Sequence, residues 1–348
     1  MPTETSRELR FEDYLPEEVF ASTTGIYERI SHLVTEPEWL IYAPLIHEIN
    51  DLKRETGATI LAHNYQPVEI FYGIADHTGD SLSLAQQAAE VDEDTIVMCG
   101  VEFMAETAKM VNPDKTVLIP STEAGCTLAS SITADDVRKL REQYPGVPVV
   151  SYVNTSAAVK AESDICCTSS NAVEIVESLG SDRAIFLPDK YLAHFVDIQS
   201  GVEIIPWDGR CVAHEAFHAS DLRALRLQYP GIAVIAHPEC TEEVQEEADW
   251  VGSTSGLMDY LSSRRPRQAA LITECTMSDN VSAALDDVEL IQPCSLCPYM
   301  KRISLENTAE ALRERQHEIV LDQDVIDRAS RSVERMLEVS AGGRSHPC

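Results

Sequence analysis

The sequence predicts an α/β protein of three homologous three-layer α/β/α domains, each with a parallel sheet, set around a pseudo-threefold axis. Three observations predict it. Cys126, Cys211 and Cys297 recur at spacings of 85 and 86 residues. The stretch from Ala134 to Gly146 (ADDVRKLREQYPG) returns as Ala219 to Gly231 (ASDLRALRLQYPG), offset by 85 at every position. A fixed period of this length marks tandem copies of one structural unit. Finally, short β-branched runs recur with the same period and carry no polar alternation, as parallel strands do when helices cover both faces.

The period divides the chain into an N-terminal extension (1–44), α/β units at 45–128, 129–213 and 214–300, and a C-terminal helical segment (301–348). The first strands are read at 58–62 (ATILA), 147–151 (VPVVS) and 232–236 (IAVIA). Each follows a glycine (Gly57, Gly146, Gly231) that closes a helical pattern. Second strands are read at 95–98, 184–187 and 269–273, and third strands at 116–119, 202–205 and 288–291, the latter running into Pro120, Pro206 and Pro293. The extension has some helical character, 305–337 is strongly helical, and the tail from Ser340, with Gly342, Gly343 and Pro347, is expected to fray.

Composition narrows the function. With 27 basic and 58 acidic residues the net charge is −31, so phosphate would be repelled over most of the surface and nucleic-acid binding is excluded. No apolar run approaches the roughly 20 residues that span a bilayer. Met1 to Asp13 is acidic and polar, unlike a signal peptide, and a cytoplasmic enzyme is expected. The acidity reads either as a highly solvated surface or, more sharply and as favoured here, as a halophilic setting, where salt screens self-repulsion. In a reducing compartment the ten cysteines are expected to serve metals or redox chemistry rather than structural disulfides. Cys99, Cys240 and Cys275, in or beside apolar runs, read as small buried residues.

Ligands of open parallel sheets bind beyond the carboxyl ends of the strands. There the sequence has His63-Asn64-Tyr65, Tyr152-Val153-Asn154 and His237-Pro238-Glu239. Hydroxyl-rich segments follow at Gly79-Asp80-Ser81, Thr168-Ser169-Ser170 and Ser253-Thr254-Ser255, and acids after the second strands at Glu102, Asp189 and Glu274. Any one such Ser or Thr is more often a helix cap, and a single His or Tyr after a strand is more often structural. Three copies change the odds, since they would surround one cavity with helix N-termini facing a small, multiply anionic substrate.

Three cysteines meeting on the axis would form a metal site. Structural zinc takes four protein ligands. Three thiolates fit a [4Fe-4S] cluster better, leaving one iron free as a Lewis acid. The local pair Cys294-Ser295-Leu296-Cys297 competes as a redox disulfide or half of a zinc site. Periodicity selects Cys297 and leaves out Cys294, as well as the adjacent Cys166-Cys167.

These motifs carry a resemblance. His63-Asn64-Tyr65-Gln66, Gly79-Asp80-Ser81-Leu82, the run from Cys99 to Ala108, Asn112-Pro113-Asp114-Lys115 and Ala124-Gly125-Cys126 form its first half. The second half is Tyr152-Val153-Asn154-Thr155, Cys167 to Ala172, Pro206 to Glu215, His237 to Cys240, Gly252 to Gly256 and Cys297 to Lys301. Over about 58–301 the chain resembles the quinolinate synthases, iron–sulfur enzymes of de novo NAD biosynthesis. The resemblance implies a [4Fe-4S] cluster on Cys126, Cys211 and Cys297. It also implies condensation of iminoaspartate with dihydroxyacetone phosphate to quinolinate, phosphate and water, with transient contact to the enzyme supplying iminoaspartate. Tyr65, Tyr152 and Glu239 become the acid–base groups, with His63 and His237 beside them. Ser81, Asn154, Ser169 and Thr254 become holders of carboxylate or phosphate oxygens, together with His63, Tyr152, His237 and Glu239. One departure stands out: Thr273-Glu274 is followed by Cys275-Thr276 where the family usually has glycine. The rival readings are another iron–sulfur hydro-lyase and an electron carrier, the latter disfavoured because carriers saturate their cluster with four protein ligands.

Overall fold

The computed structural model describes residues 14–285 and 287–343, so the reading of Met1 to Asp13 lies outside the described residues. Among the described residues, twelve strands form three four-stranded sheets. The first contains β1 (Ala58–His63), β2 (His77–Gly79), β3 (Thr95–Cys99) and β4 (Thr116–Leu118). The second contains β5 (Val149–Tyr152), β6 (Ile165–Cys167), β7 (Arg183–Leu187) and β8 (Glu203–Pro206). The third contains β9 (Ala233–Ala236), β10 (Trp250–Val251), β11 (Gln268–Ile272) and β12 (Glu289–Ile291). Their orders, β2-β1-β3-β4, β6-β5-β7-β8 and β10-β9-β11-β12, are the same permutation. Every pairing among these twelve strands is parallel. These are three α/β/α units, as the period predicts.

The expected strands are all present, with ends shifted by up to two residues. The edge strands β2, β6 and β10 leave no pattern in the sequence. Two or three residues carry no periodicity of their own, and β2 is His-Thr-Gly. The central strands explain why the rest was readable: Ile60, Leu61, Ile96, Val97, Phe186 and Val234 are fully buried between helices. Each such side chain contributes about 1.5–3 kcal/mol.

One device repeats at the amino end of each sheet. Asp76, Asp164 and Asp249 accept the backbone N–H of Ile60, Val149 and Val234 at 2.8, 2.7 and 2.8 Å. Lys53, Arg141 and Arg226 pair with these carboxylates at 2.7, 2.9 and 3.1 Å. Just before each first strand the chain reverses at Gly57, Gly146 and Gly231, with φ of 61°, 80° and 86°. That left-handed conformation favours glycine.

The N-terminal region forms helices Glu17–Ile30 and Glu36–Thr56. The second is capped reciprocally by Thr35 and Glu38 and passes through Pro44 without a break, so the boundary drawn after residue 44 falls inside it. The segment read as helical from 305 forms Leu305–Glu314 and Gln323–Gly343. Ser340, expected in a frayed tail, is instead buried in that last helix, where its hydroxyl accepts from Asn171 Nδ2 at 2.8 Å. Positions 344–348 lie outside the described residues. Among the described residues no helix is long and apolar enough to cross a membrane.

Candidate functional site

The carboxyl ends of the sheets face one cavity. His63, Tyr65, Ser81, Tyr152, Asn154, Ser169, His237, Glu239 and Thr254 all line it, together with Cys126, Cys211 and Cys297. Glu102, Asp189 and Glu274 do not line it. Glu102 is exposed, Asp189 caps the helix Lys190–Ser200 through the Leu192 N–H at 2.6 Å, and Glu274 is buried behind the third cysteine loop. Thr254 opens its helix behind the cap Ser253, and Ser81 opens its helix behind the cap Asp80. The cap role considered for these segments therefore falls to their neighbours.

At the centre lies Glu239. Its Oε1 accepts from the Tyr152 hydroxyl at 2.6 Å and from Asn154 Nδ2 at 3.4 Å, and its Oε2 is 2.9 Å from His214 Nδ1. The same Nδ1 is 3.1 Å from Cys211 Sγ. On the other side of the ring, Nε2 is 3.0 Å from Thr273 Oγ1 and 3.3 Å from the Tyr65 hydroxyl, which is itself 2.6 Å from Thr273 Oγ1. Neither His214 nor Thr273 is marked by the sequence as a functional residue. His214 stands three residues after Cys211 within a quoted motif, but nothing in its spacing marked it as the link between Glu239 and Tyr65.

Burial works to raise the Glu239 carboxyl, yet His214 and the Tyr152 hydroxyl hold it below the ordinary carboxylate range. Burial, and then the charge of Glu239, push the phenols of Tyr65 and Tyr152 well above their usual value. The site therefore pairs a carboxylate with two phenols that keep their protons.

His63 and His237 are built alike. Nδ1 of His63 faces the backbone N–H of Tyr65 at 3.2 Å, and Nδ1 of His237 faces that of Glu239 at 3.3 Å. A backbone N–H only donates, so each Nδ1 accepts and the proton sits on Nε2. For His237 that Nε2 is 3.3 Å from Ser169 Oγ. Burial lowers His63 to about 4 and His237 to about 3. Both rings are neutral donors at neutral pH.

Each cysteine loop is fixed by the same backbone bond, two residues before the thiol. Ala124 O accepts from Glu102 N at 2.7 Å, Gly209 O from Lys190 N and Ser295 O from Cys275 N, both at 3.0 Å. Backbone N–H groups just beyond each sulfur, those of Leu128 and Ala129 for Cys126, His214 for Cys211, and Tyr299 and Met300 for Cys297, act to lower its pKa. Burial pushes Cys126 up to about 12 and raises Cys211 and Cys297, and a bound metal would draw off those protons. Among the described residues, the set of ligand atoms within 4.8 Å of one another is that of Cys211, His214 and Glu239. The three cysteines are thus spread too widely to share one ion, and the donor set fits a larger multi-iron group.

Two readings of the remaining cysteines need correction. Cys275, read as a small buried residue, is joined to Cys294 by a disulfide with Cα atoms 4.9 Å apart. That pairing also removes the redox pair considered between Cys294 and Cys297, whose thiol is free. The bridge between Glu274 and Ser295 sets the two loops side by side, a contact that sequence spacing does not reveal. Cys99, Cys166, Cys167 and Cys240 are buried free thiols outside the cavity.

A family model described as "NadA: Quinolinate synthetase A protein" matches residues 47–338. "Quinolinate synthase 1" of Mesorhizobium japonicum is 55% identical over 92% of this chain and 99% of that protein. "Quinolinate synthase" of Agrobacterium fabrum is 52% identical over 97% of both chains. "Quinolinate synthase" of Caulobacter vibrioides is 50% identical over 94% of this chain and 91% of that protein.

Proposed function

Since the chain belongs to the quinolinate synthase family, enzymes of NAD biosynthesis, we infer that its central cavity joins iminoaspartate to dihydroxyacetone phosphate. The products are quinolinate, phosphate and water. The observation that carries this reading is the continuous hydrogen-bonded chain Tyr152–Glu239–His214–Tyr65, in one cavity with three cysteines and a set of neutral donors.

Cys126, Cys211 and Cys297 would hold a [4Fe-4S] cluster, which when bound supplies an open iron as a Lewis acid for substrate oxygen or nitrogen. The remaining chemistry belongs to the side chains. Glu239, held ionised, is the base that takes a proton from substrate carbon during enolisation. Tyr65 and Tyr152, which keep their protons, are acids for the hydroxyl that leaves as water. His214 and Thr273 connect Tyr65 to Glu239, so a proton taken by one can return through the other. Nε2–H of His63 and His237, with Ser81, Ser169 and Thr254, holds carboxylate or phosphate oxygens. Asn154 Oδ1 is buried without a partner, an acceptor suited to a substrate N–H or O–H. Apolar Val101, Met104 and Met300 line the same space and strengthen these electrostatic contacts by excluding water.

The same reading has the enzyme in a salty cytoplasm, in transient contact with the enzyme supplying iminoaspartate. The decisive test is anaerobic reconstitution with iron and sulfide, then a quinolinate assay with both substrates. Activity that appears only with the cluster supports the reading, and full activity in an iron-free preparation removes it.

A further inference from the structure

The three cysteine loops are not held equally. In the first, Ala124 and Leu128 are buried on either side of Cys126; in the second, Gly209, Ala213 and His214 are buried around Cys211. The third is the most exposed: Gln292, Cys294, Leu296 and Pro298 all face solvent, and burial resumes only at Met300. This least packed loop carries the one disulfide among the described residues, Cys275–Cys294. By the shared backbone bond, the residues matching Cys275 in the other units are Glu102 and Lys190, so the cross-link has no counterpart there.

Around the disulfide, the turn that follows β11 does two tasks. Glu274, fully buried, accepts from the backbone N–H of Cys297 at 3.3 Å and pairs with Lys301 at 3.4 Å. Thr276 bonds Glu274 Oε2 and donates to the Tyr65 carbonyl at 2.8 Å, and Lys301 donates to the same carbonyl at 3.0 Å. Cys275 lies between Glu274 and Thr276, so the cross-link grips the turn that ties Cys297 to the backbone of Tyr65. Ser295, next to Cys294, adds a bond to Ala213 O at 2.7 Å in the second cysteine loop.

We propose that the Cys275–Cys294 disulfide is a positioning cross-link for Cys297, and that its reduction by a dithiol loosens the third loop's hold on the cluster. The inference rests on the cluster reading above. Reduction breaks the S–S bond; the dithiol supplies two electrons and two protons, leaves two thiols on the protein, and closes into its own disulfide. Cys294 is exposed and gives the reductant access. In a reducing compartment a disulfide is characteristically transient, so the grip on the cluster would follow the local dithiol balance.

The test uses the full chain loaded anaerobically with iron and sulfide. Iron release to ferrozine is timed for wild type, Cys275→Ser, Cys294→Ser and the double variant, each with and without dithiothreitol. Thiols are counted in parallel on denatured, unreduced protein. The inference expects two thiols to appear in wild type only after reduction. Release should be about tenfold faster in all three variants, less than the full effect of such a cross-link on unfolding. Dithiothreitol should bring wild type to the variants' rate and leave the double variant unchanged. Equal release from wild type and double variant overturns it, as does a wild type whose ten cysteines all react before reduction. Equal acceleration of both proteins by dithiothreitol also overturns it. A wild type that takes up no cluster removes both this inference and the cofactor reading. A loaded protein indifferent to the cross-link removes this inference alone.

Discussion

The two ends of the three sheets tell different stories. At the amino ends the units are near-copies: an aspartate on the first-strand N–H, backed by a lysine or arginine, appears three times with distances agreeing within about half an ångström. At the carboxyl ends the corresponding positions have diverged. His63, Tyr152 and His237 each precede by two residues a different partner, Tyr65, Asn154 and Glu239. One unit contributes a phenol, one an amide and one a carboxylate. Repetition persists where it serves folding and breaks where the site needs three distinct groups from three equivalent places.

The largest effects should come from the diverged end. Tyr152→Phe and Glu239→Gln nearly preserve volume, and each should keep the cluster while lowering turnover by at least about a hundredfold. Iron per chain and quinolinate formed are the measurements, and near-normal turnover in either variant would return that residue to a structural role.

The histidines of the same end should make stability depend on pH. Their folded values, about 4 and about 3, lie below the roughly 6.5 of an unfolded histidine. Between these values the unfolded chain binds protons that the folded chain refuses. Their contribution is therefore complete above about pH 6.5 and lost as pH falls toward the folded values. Thermal midpoints of the iron-free protein should fall from about pH 6.5 downward, and more shallowly in a His63→Gln, His237→Gln variant. Equal slopes in the two proteins would contradict the burial argument.

At the repeated end the expected cost is smaller and purely thermodynamic. Asp164→Ala or Asp249→Ala removes a partly exposed carboxylate and should lose about 1 kcal/mol of stability, with kcat and KM unchanged. A kinetic defect would mean that the two ends are coupled. Smallest and most diffuse is the response to salt. With a charge of −31, the midpoint should climb from low to molar potassium chloride as exposed charges are screened. A flat or falling midpoint would set the halophilic reading aside.

Legibility in the sequence divides along similar lines. Gly57, Gly146 and Gly231, the β-branched central strands and the spacing of Cys126, Cys211 and Cys297 all leave marks at a fixed period, so the units and the residues around their cavity were readable. His214 and Thr273 belong to no triplet and gain meaning only from contacts with residues distant in sequence, Glu239 and Tyr65. The strands β2, β6 and β10 are too short to form a pattern. Cys275 and Cys294 are 19 residues apart in loops that only the third sheet brings side by side, and Ser340 looked like tail because its partner, Asn171, comes from another unit.

That last contact bears on the order in which a newly made chain becomes an enzyme. Asn171 Oδ1 fixes the Thr168 N–H at 2.6 Å, while Asn171 Nδ2 reaches Ser340, 169 positions later. Ser169 lies between the two ends of that small turn. During translation the sheets emerge and fold one after another, but the turn that presents Ser169 waits for an anchor made almost last. A chain halted ahead of position 340 would carry every acid, base and thiol of the site and lack the anchor of that turn.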